Sequence, residues 1–482
     1  MELIENGFAA YKIVLKSQSL SDILSEIDRL PRGITALYLE VEENNYSGTD
    51  LEEIFKRLNS SIKFLDFKCI AQAYFKKEFT SAFQYLSNID HLDLRNNALP
   101  DALSGKEMKE FLASIPPNVR HINLRNNQIG YLYQSPDEFM QALSGFYANI
   151  SSLDLGHNYL DKQKPEALKE AFGKFDKSLT HINLCFNELL LLGQKLAIVI
   201  SGLCCATHVN LRGNLIGNLT DTSLAKAFEA FKDSVTFIDF SKNHLGAQTA
   251  PGLANAFSKL KSVTRLNLEE NGFNWSTADK FAKAFSGFKD TKVYSLRLSK
   301  NNLETKSVEF LKEAFSGLPP TITELDFSES NLHILTPGQL IDFLETIPSH
   351  VKKINVSKNN LFTNKSPRQR EELISALKQT KILKRLNLSD NDINASEEAE
   401  LSSHLLGQKQ ATLIEKQRRL MEKQQRLMEK QQRITGYGET MQERVFTTNA
   451  GTLPTFFLNT LPNANSGERR VNFWPPLQCG QG

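Results

Sequence analysis

The stretch His91-Leu92-Asp93-Leu94-Arg95-Asn96-Asn97-Ala98-Leu99, HLDLRNNAL, decides how this chain is read. Two adjacent asparagines stand between apolar residues. Either Asn97 binds something or it holds the backbone in shape, and repetition separates the two. INLRNNQI ends at Ile129, LDLGHNYL at Leu160, INLCFNEL at Leu189 and VNLRGNLI at Ile216. IDFSKNHL follows to Leu245, LNLEENGF to Phe273, LRLSKNNL to Leu303, INVSKNNL to Leu361 and LNLSDNDI to Ile393. Each reads apolar-x-apolar-x-x-Asn-x-apolar. The asparagines are Asn97, Asn127, Asn158, Asn187, Asn214, Asn243, Asn271, Asn301, Asn359 and Asn391, 27 to 32 residues apart save for one double step after Asn301. That step hides LDFSESNL, ending at Leu332, with Ser330 in the asparagine place. LDFKCI from Leu65, with Ile70 in that place, and a stretched LYLEVEENNY from Leu37 precede the run and bring the count to thirteen units.

Between the octamers lies a second pattern. SLAKAFEAFKDSV, PGLANAFSKLKSV, DKFAKAFSGFKDT and VEFLKEAFSGLPP share Ala-Phe at equivalent places, at Phe228, Phe257, Phe285 and Phe315. Apolar residues there recur at helical spacing, with Lys, Glu and Ser between them. Gly or Pro closes the segments, as at Gly287 and Pro319. Each unit therefore predicts a short strand, a turn, a helix and a return loop. The pattern resembles the leucine-rich repeat in its long, ribonuclease-inhibitor-like form, over roughly residues 33–400. The resemblance implies an α/β solenoid, a horseshoe with short parallel strands on the concave side and helices on the convex side. It also implies that the asparagine is structural. Its carboxamide fills the turn and pairs backbone groups that the bend leaves over. Ile70 and Ser330 then mark looser turns.

One unit cannot cover its own apolar face, so the array needs caps. SLSDILSEIDRLPR, with Leu20, Ile23, Leu24, Ile27 and Leu30 at helical spacing, is the expected N-terminal cap helix. The organisation expected is a cap over 1–32, repeats over 33–403, a helix over 404–434 and a disordered tail over 435–482.

Strand alternation turns the residues between and after the strand leucines toward the open face. The first such column runs Asp66, Asp93, Asn123, Asp154, Asn183, Asn210, Asp239, Asn267, Arg297, Asp326, Asn355 and Asn387. A ladder of carboxylates invites a metal or catalytic reading. Parallel stacking of Asp on Asn favours a hydrogen-bonded ladder instead, and no catalytic residue, metal or cofactor is expected. The next two columns carry Arg95, Arg125, Cys185, Arg212 and Glu269, and beside them Asn96, His157, Phe186, Lys242 and Glu270. An aromatic beside arginines is the usual make-up of a protein-binding hot spot. Arg95, Arg125, His157, Phe186 and Arg212 thus form the candidate contact patch. Lys242 continues it, and Glu269 and Glu270 make an acidic spot in the middle. The alternative is a solvated face with one stray phenylalanine. Tyr131, Tyr133 and Trp275 follow the strands and either widen the contact surface or cover core edges.

After the repeats comes LLGQKQATLIEKQRRLMEKQQRLMEKQQRI, residues 405–434. Leu406, Leu413, Leu420, Leu427 and Ile434 recur every seven residues with Ile414, Met421 and Met428 beside them, which suits a coiled coil. Gln410, Gln417, Gln424 and Gln431 occupy the places where a second apolar residue is wanted. The helix is net basic and narrowly amphipathic. Self-association through 408–434 is the leading expectation, with an acidic partner helix or an anionic membrane surface as alternatives. Thr, Asn, Gly and Pro dominate the remaining tail. Its apolar pieces TLPTFFL and VNFWPPL suit recognition motifs or an export signal.

The bulk numbers narrow the function. The chain has 482 residues, 40% hydrophobic and 23% charged, and a net charge of +2 gives no global reason to expect nucleic acid. Cys69, Cys185, Cys204, Cys205 and Cys479 fit no zinc or redox spacing, which points to a reduced, cytoplasmic protein. The opening MELIENGFAAYKIVLKS lacks the apolar core of a secretory signal, and no window is apolar enough to span a membrane. No GxxxxGK[ST], HExxH or GxSxG motif occurs, so an enzyme is not expected. The chain resembles the leucine-rich-repeat and coiled-coil effectors that intracellular bacterial pathogens export into host cells. That resemblance implies an interaction scaffold gripping a host protein on its concave face, and a cytoplasmic location or export by a non-classical secretion system. The alternative resemblance is to GTPase-activating proteins of the leucine-rich-repeat type. There a supplied arginine, here Arg95, Arg125 or Arg212, would stabilise transition-state charge.

Overall fold

The structure is a computed structural model. It describes residues 3–5, 8–31, 33–71, 73–133, 135–146 and 150–436. The tail expected from residue 435 lies outside the described residues from 437 onward.

Thirteen strands, from Ala36–Val41 to Leu386–Asn387, sit where the octamers begin. Most hold three residues, as in His91–Asp93, because the turn takes over as soon as one core residue has been placed. Their central residues pair in register: Leu65 with Leu92, Leu92 with Ile122 and Ile122 with Leu153. Those side chains are buried, with Leu65 and Leu153 at 0% exposure. Burying a leucine contributes roughly 1.5–3 kcal/mol, which no isolated unit could collect.

Among the described residues the sheet contains fifteen strands in strict sequence order. The additional two are Leu3–Glu5 and Phe8–Leu15, an antiparallel pair. The second of them runs parallel to Ala36–Val41, placing Tyr11, Ile13 and Leu15 beside Leu37, Leu39 and Val41. The sheet therefore continues by two strands beyond the first repeat strand, and the helix Leu20–Asp28 joins Phe8–Leu15 to Ala36–Val41.

The helices line the opposite side of the strands. Ala250–Phe257 starts at Thr249, whose hydroxyl accepts the Gly252 N–H, and buries Leu253, Ala256 and Phe257. Phe228, Phe257, Phe285 and Phe315 are each at most 1% exposed. Their rings meet between units, with centroids 6.3 Å apart for Phe228 and Phe257 and 5.8 Å for Phe257 and Phe285. Close packing explains the closing glycine. A Cβ on Gly287 would lie 2.2 Å from the Ala254 carbonyl oxygen of the unit before.

The compact repeat unit extends over Met1–Leu401, and a second unit begins at Ser402. The helix Ala395–Gly436 begins in the first and continues into the second. Within the first unit, Arg370 clamps its start to the last repeat: the guanidinium meets Glu397 at 2.6 Å and donates to the carbonyls of Phe362 and Asp392 at 2.6 and 2.8 Å. In the second, Leu413, Leu420 and Leu427 are 57%, 58% and 54% exposed.

Candidate interaction face

Each turn after a strand, from His91–Asp93 to Leu386–Asn387, is built on three residues. The residues flanking the asparagine are both left-handed: Asn96 (φ 60°) and Ala98 (φ 47°), Phe186 (φ 52°) and Glu188 (φ 54°), Lys358 (φ 54°) and Asn360 (φ 55°). That conformation is uncommon for residues with a Cβ, and here it bends the chain away from the sheet. It leaves amide and carbonyl groups pointing inward, and the asparagine pairs them. Asn127 Nδ2 donates to Leu94 O of the preceding unit at 2.9 Å and to its own Leu124 O at 3.0 Å. Its Oδ1 accepts from Asn97 N at 3.1 Å and Leu99 N at 3.2 Å. The same carboxamide chain continues from Asn127 through Asn158, Asn187, Asn214, Asn243 and Asn271 to Asn301.

At Ser330 the ladder changes hands. The hydroxyl accepts from Lys300 N at 3.3 Å, and the Ser330 N–H donates to Asn359 Oδ1 at 2.7 Å. Glu329 and Asn331 stay left-handed at φ 55° and 56°. The turn is thus not looser in shape; a serine is too short to reach the cross-unit partners an asparagine serves.

The Asp/Asn column is part of the wall. Asp93, Asp154 and Asn183 are at most 5% exposed. One oxygen of each accepts the N–H two residues on, as from Arg95 to Asp93 at 3.0 Å and from Gly156 to Asp154 at 2.7 Å. In the two aspartates the other oxygen accepts from the next strand, Asp93 from Asn123 Nδ2 at 2.9 Å and Asp154 from Asn183 Nδ2 at 2.8 Å. Burial pushes the Asp154 and Asp239 carboxyls up, and the N–H groups of Gly156 and Ser241 oppose the rise.

Within the candidate patch, Arg125, His157 and Phe186 come together. Arg125 Nη1 reaches Cys185 Sγ at 3.0 Å, across Gly156. His157 and Phe186 stack at 4.6 Å, and Phe186 in turn lies over Gly213. Phe186 is half-buried rather than freely outward. Burial and then Arg125 push the His157 pKa down to about 4. Arg95 is held by Asp66 at 3.2 Å and Asp93 at 3.1 Å, and Arg212 donates to Ser241 Oγ at 2.7 Å.

The middle of the face corrects the sequence reading. Glu269 and Glu270 do not make a free acidic spot. Glu269 is 5% exposed and meets Arg297 at 3.0 Å and Lys300 at 2.9 Å, while Glu270 meets Lys242 at 3.3 Å. Lys300 also pairs Glu329 at 2.8 Å. Neighbouring strands stand about 4.8 Å apart, so residues some thirty positions away neutralise these carboxylates.

One column of the face escapes the sequence reading altogether. The first residue of each strand shares a side with the Asp/Asn column. In register these are Phe64, His91, His121, Ser152, His181, His208, Phe237 and Arg265. His91 and His121 stack at 4.0 Å, His181 and His208 at 4.2 Å, and His208 meets Phe237 at 5.6 Å. Burial lowers all four imidazole pKa values, those of His121 and His208 to about 4. The signal was present in the recurring His of DHLDL, RHINL, THINL and THVNL. Beyond the strands, Tyr131, Tyr159 and Leu191 stand 58%, 41% and 63% exposed on consecutive turns. Tyr133 instead covers the core edge, 1% exposed with its hydroxyl on Leu103 O, and Trp275 Nε1 donates to Gly246 O at 2.6 Å.

Fourteen parallel strands with helices on their far side define a leucine-rich-repeat fold, as the resemblance implied. No family model matches the chain. Human lumican is 26% identical over 258 residues, 48% of this chain and 65% of lumican. Bovine lumican is 26% identical over 258 residues and is covered to 64%. The chain thus spans just under two thirds of the length of these curated relatives. The leucine-rich repeat-containing protein LegL7 from Legionella pneumophila superposes with a TM-score of 0.53 at 24% identity, over 70% of this chain and 97% of that one. That likeness carries the fold. Among the described residues no helix is long and apolar enough to cross a membrane.

Proposed function

We propose that this chain is a non-enzymatic interaction scaffold that holds a partner protein on the N-terminal half of its open face. The observation that carries the reading is the exposure of Tyr131, Tyr159 and Leu191 on the same three turns as Arg125, His157 and Phe186. Tyrosine and arginine dominate binding energy where they can be desolvated together, and a rigid backbone lowers the cost of association. Arg212 and Lys242 extend the basic side. The partner is a host-cell protein, and the chain is an effector acting in host cytoplasm. What supports this is the join of long leucine-rich repeats to a glutamine- and charge-rich helix. In this reading the cap, repeats, helix and tail divide at residues 32, 403 and 434, and residues 408–434 bring copies of the chain together. The arginine-assisted GTPase reading has no observation in its favour, since Arg95 and Arg212 are tied to their own neighbours.

Affinity purification of the full chain from host lysate, read by mass spectrometry, tests the proposal. Arg125→Glu and a Tyr131→Ser, Leu191→Ser double variant should both lose partners that the wild type retains. The double variant changes only exposed side chains and leaves the core intact. Identical partner sets would remove the patch. Stimulated hydrolysis in a panel of small GTPases would replace the scaffold reading.

A further inference from the structure

We propose that Asp90, His91 and His121 form a binding site for a divalent transition-metal ion, of the class of Zn²⁺ or Co²⁺, on the open face of the sheet.

His91 and His121 open adjacent strands and pair in register. Their rings are stacked with centroids 4.0 Å apart and planes 8° from parallel. Asp90 immediately precedes the first strand and brings Oδ2 to 3.3 Å from His91 Nε2. One donor atom from each residue lies within 4.8 Å of the others. Zinc holds nitrogen and oxygen ligands at about 2.0–2.2 Å in a tetrahedron, which sets neighbouring donors roughly 3.3 Å apart. Asp90 and His91 already have that spacing. A turn of the His121 ring about its own χ2, out of the stack, would aim its lone pair at the same point and bring the third donor in by up to about 1.5 Å, a movement along a broad terminal torsion.

The donor chemistry selects the ion. Two imidazoles and one carboxylate suit zinc, cobalt, nickel or copper, whereas calcium and magnesium want oxygen shells. His91 and Asp90 keep 32% and 41% of their side-chain surface, so the outer side stays open for solvent or another ligand.

The molecule contains its own control. His181 and His208 stack in the same way at 4.2 Å, but the residue before each strand is threonine instead of aspartate. Thr180 and Thr207 hydroxyls occupy the Nδ1 atoms at 2.8 and 2.9 Å, and Arg265 faces His208 Nε2 at 3.4 Å. That pair lacks a carboxylate and faces a cation, so it should not take a metal.

The test is titration of the full chain with Zn²⁺ alone by calorimetry, and with Co²⁺ by visible absorption, in a Cys204→Ser, Cys205→Ser background. These two thiols lie 3.4 Å apart and would otherwise compete. One ion should bind per chain. Asp90→Asn and His121→Phe should each weaken binding at least tenfold, and His208→Phe should leave it unchanged. Phenylalanine at 121 copies what Phe64 and Phe237 already do in the column, and circular dichroism confirms that the variant folds. Failure to bind, binding that survives both substitutions, or equal loss in His208→Phe would each overturn the proposal.

Discussion

Arg125 Nη1 donates to Cys185 Sγ at 3.0 Å although the two residues follow strands separated by a third. The intervening residue in that column is Gly156, and its missing side chain is what lets the guanidinium pass. A Cβ there would meet Cys185 Sγ at 2.7 Å, Asp154 Oδ1 at 3.0 Å and Arg125 Nη1 at 3.2 Å. Gly156→Ala should therefore push Arg125 outward and cost about 1–3 kcal/mol by overpacking. Urea denaturation would read the loss, and an unchanged midpoint would show that the arginine yields freely.

The carboxamide ladder makes a prediction of opposite signs at two units. Asn243 Nδ2 donates to the carbonyls of Leu211, Phe240 and Ser241, and its Oδ1 accepts from Asn214 and Ile216. Asn243→Ala strands several buried groups and should cost about 3 kcal/mol. Ser330→Asn should do the reverse, since its flanking residues are already left-handed and a longer carboxamide can reach the neighbouring unit. A gain of about 1 kcal/mol is expected. Denaturation midpoints of both variants against wild type check the pair. A destabilised Ser330→Asn would mean that the neighbouring turn has closed around the serine.

These contrasts mark what a sequence can carry. The phase of the thirteen units was legible because the leucines and the asparagine answer to local needs, one apolar face and one overtight turn, and the asparagine recurs in ten of the units. The hairpin at Leu3–Glu5 and Phe8–Leu15 was not, because a cap strand has no turn asparagine, although Tyr11, Ile13 and Leu15 alternate as a strand should. The histidine column was passed over because the outward positions were counted from Asp93, two residues after His91. The pairing of Glu269 with Arg297 and Lys300 lay beyond reach for another reason. It depends on which way long side chains lean between strands 28 to 31 residues apart in sequence, and no local pattern encodes that.

His208 should give the fold a measurable acid sensitivity. Arg265 can only donate to Nε2, so the neutral ring carries its proton on Nδ1, toward Thr207 Oγ1. Burial, then His181 and Arg265, push its pKa down from 6.5 to about 4. Between those values the unfolded chain binds a proton that the folded chain refuses. Stability must then fall as pH drops from about 6.5 toward 4 and recover above that window, by up to about 1.4 kcal/mol per pH unit for one proton. His208→Phe, which extends the ring column from Phe237, removes this contribution. Guanidinium denaturation at pH 7 and pH 5 should show the variant losing less than wild type. Parallel losses would mean that other groups carry the acid response.

The helix beyond Leu401 presents a narrower problem. Leu413, Leu420 and Leu427 form one exposed row, with Ile414 and Met421 beside it at 64% and 62% exposure. Glutamines at 410, 417 and 424 split the two rows, and Lys409, Lys416 and Lys423 flank them. Exposed apolar rows of this length favour association, and the glutamines and lysines weaken it without abolishing it. The full chain should therefore scatter light as a species of at least twice 54.4 kDa at micromolar concentration, with dissociation on dilution. Leu413→Glu with Leu420→Glu places like charges on the row and should return the mass to that of one chain. A wild-type protein that already runs as a single chain would leave the row for a partner of other chemistry, and an acidic helix would then be the first to try, because the flanking lysines would meet it.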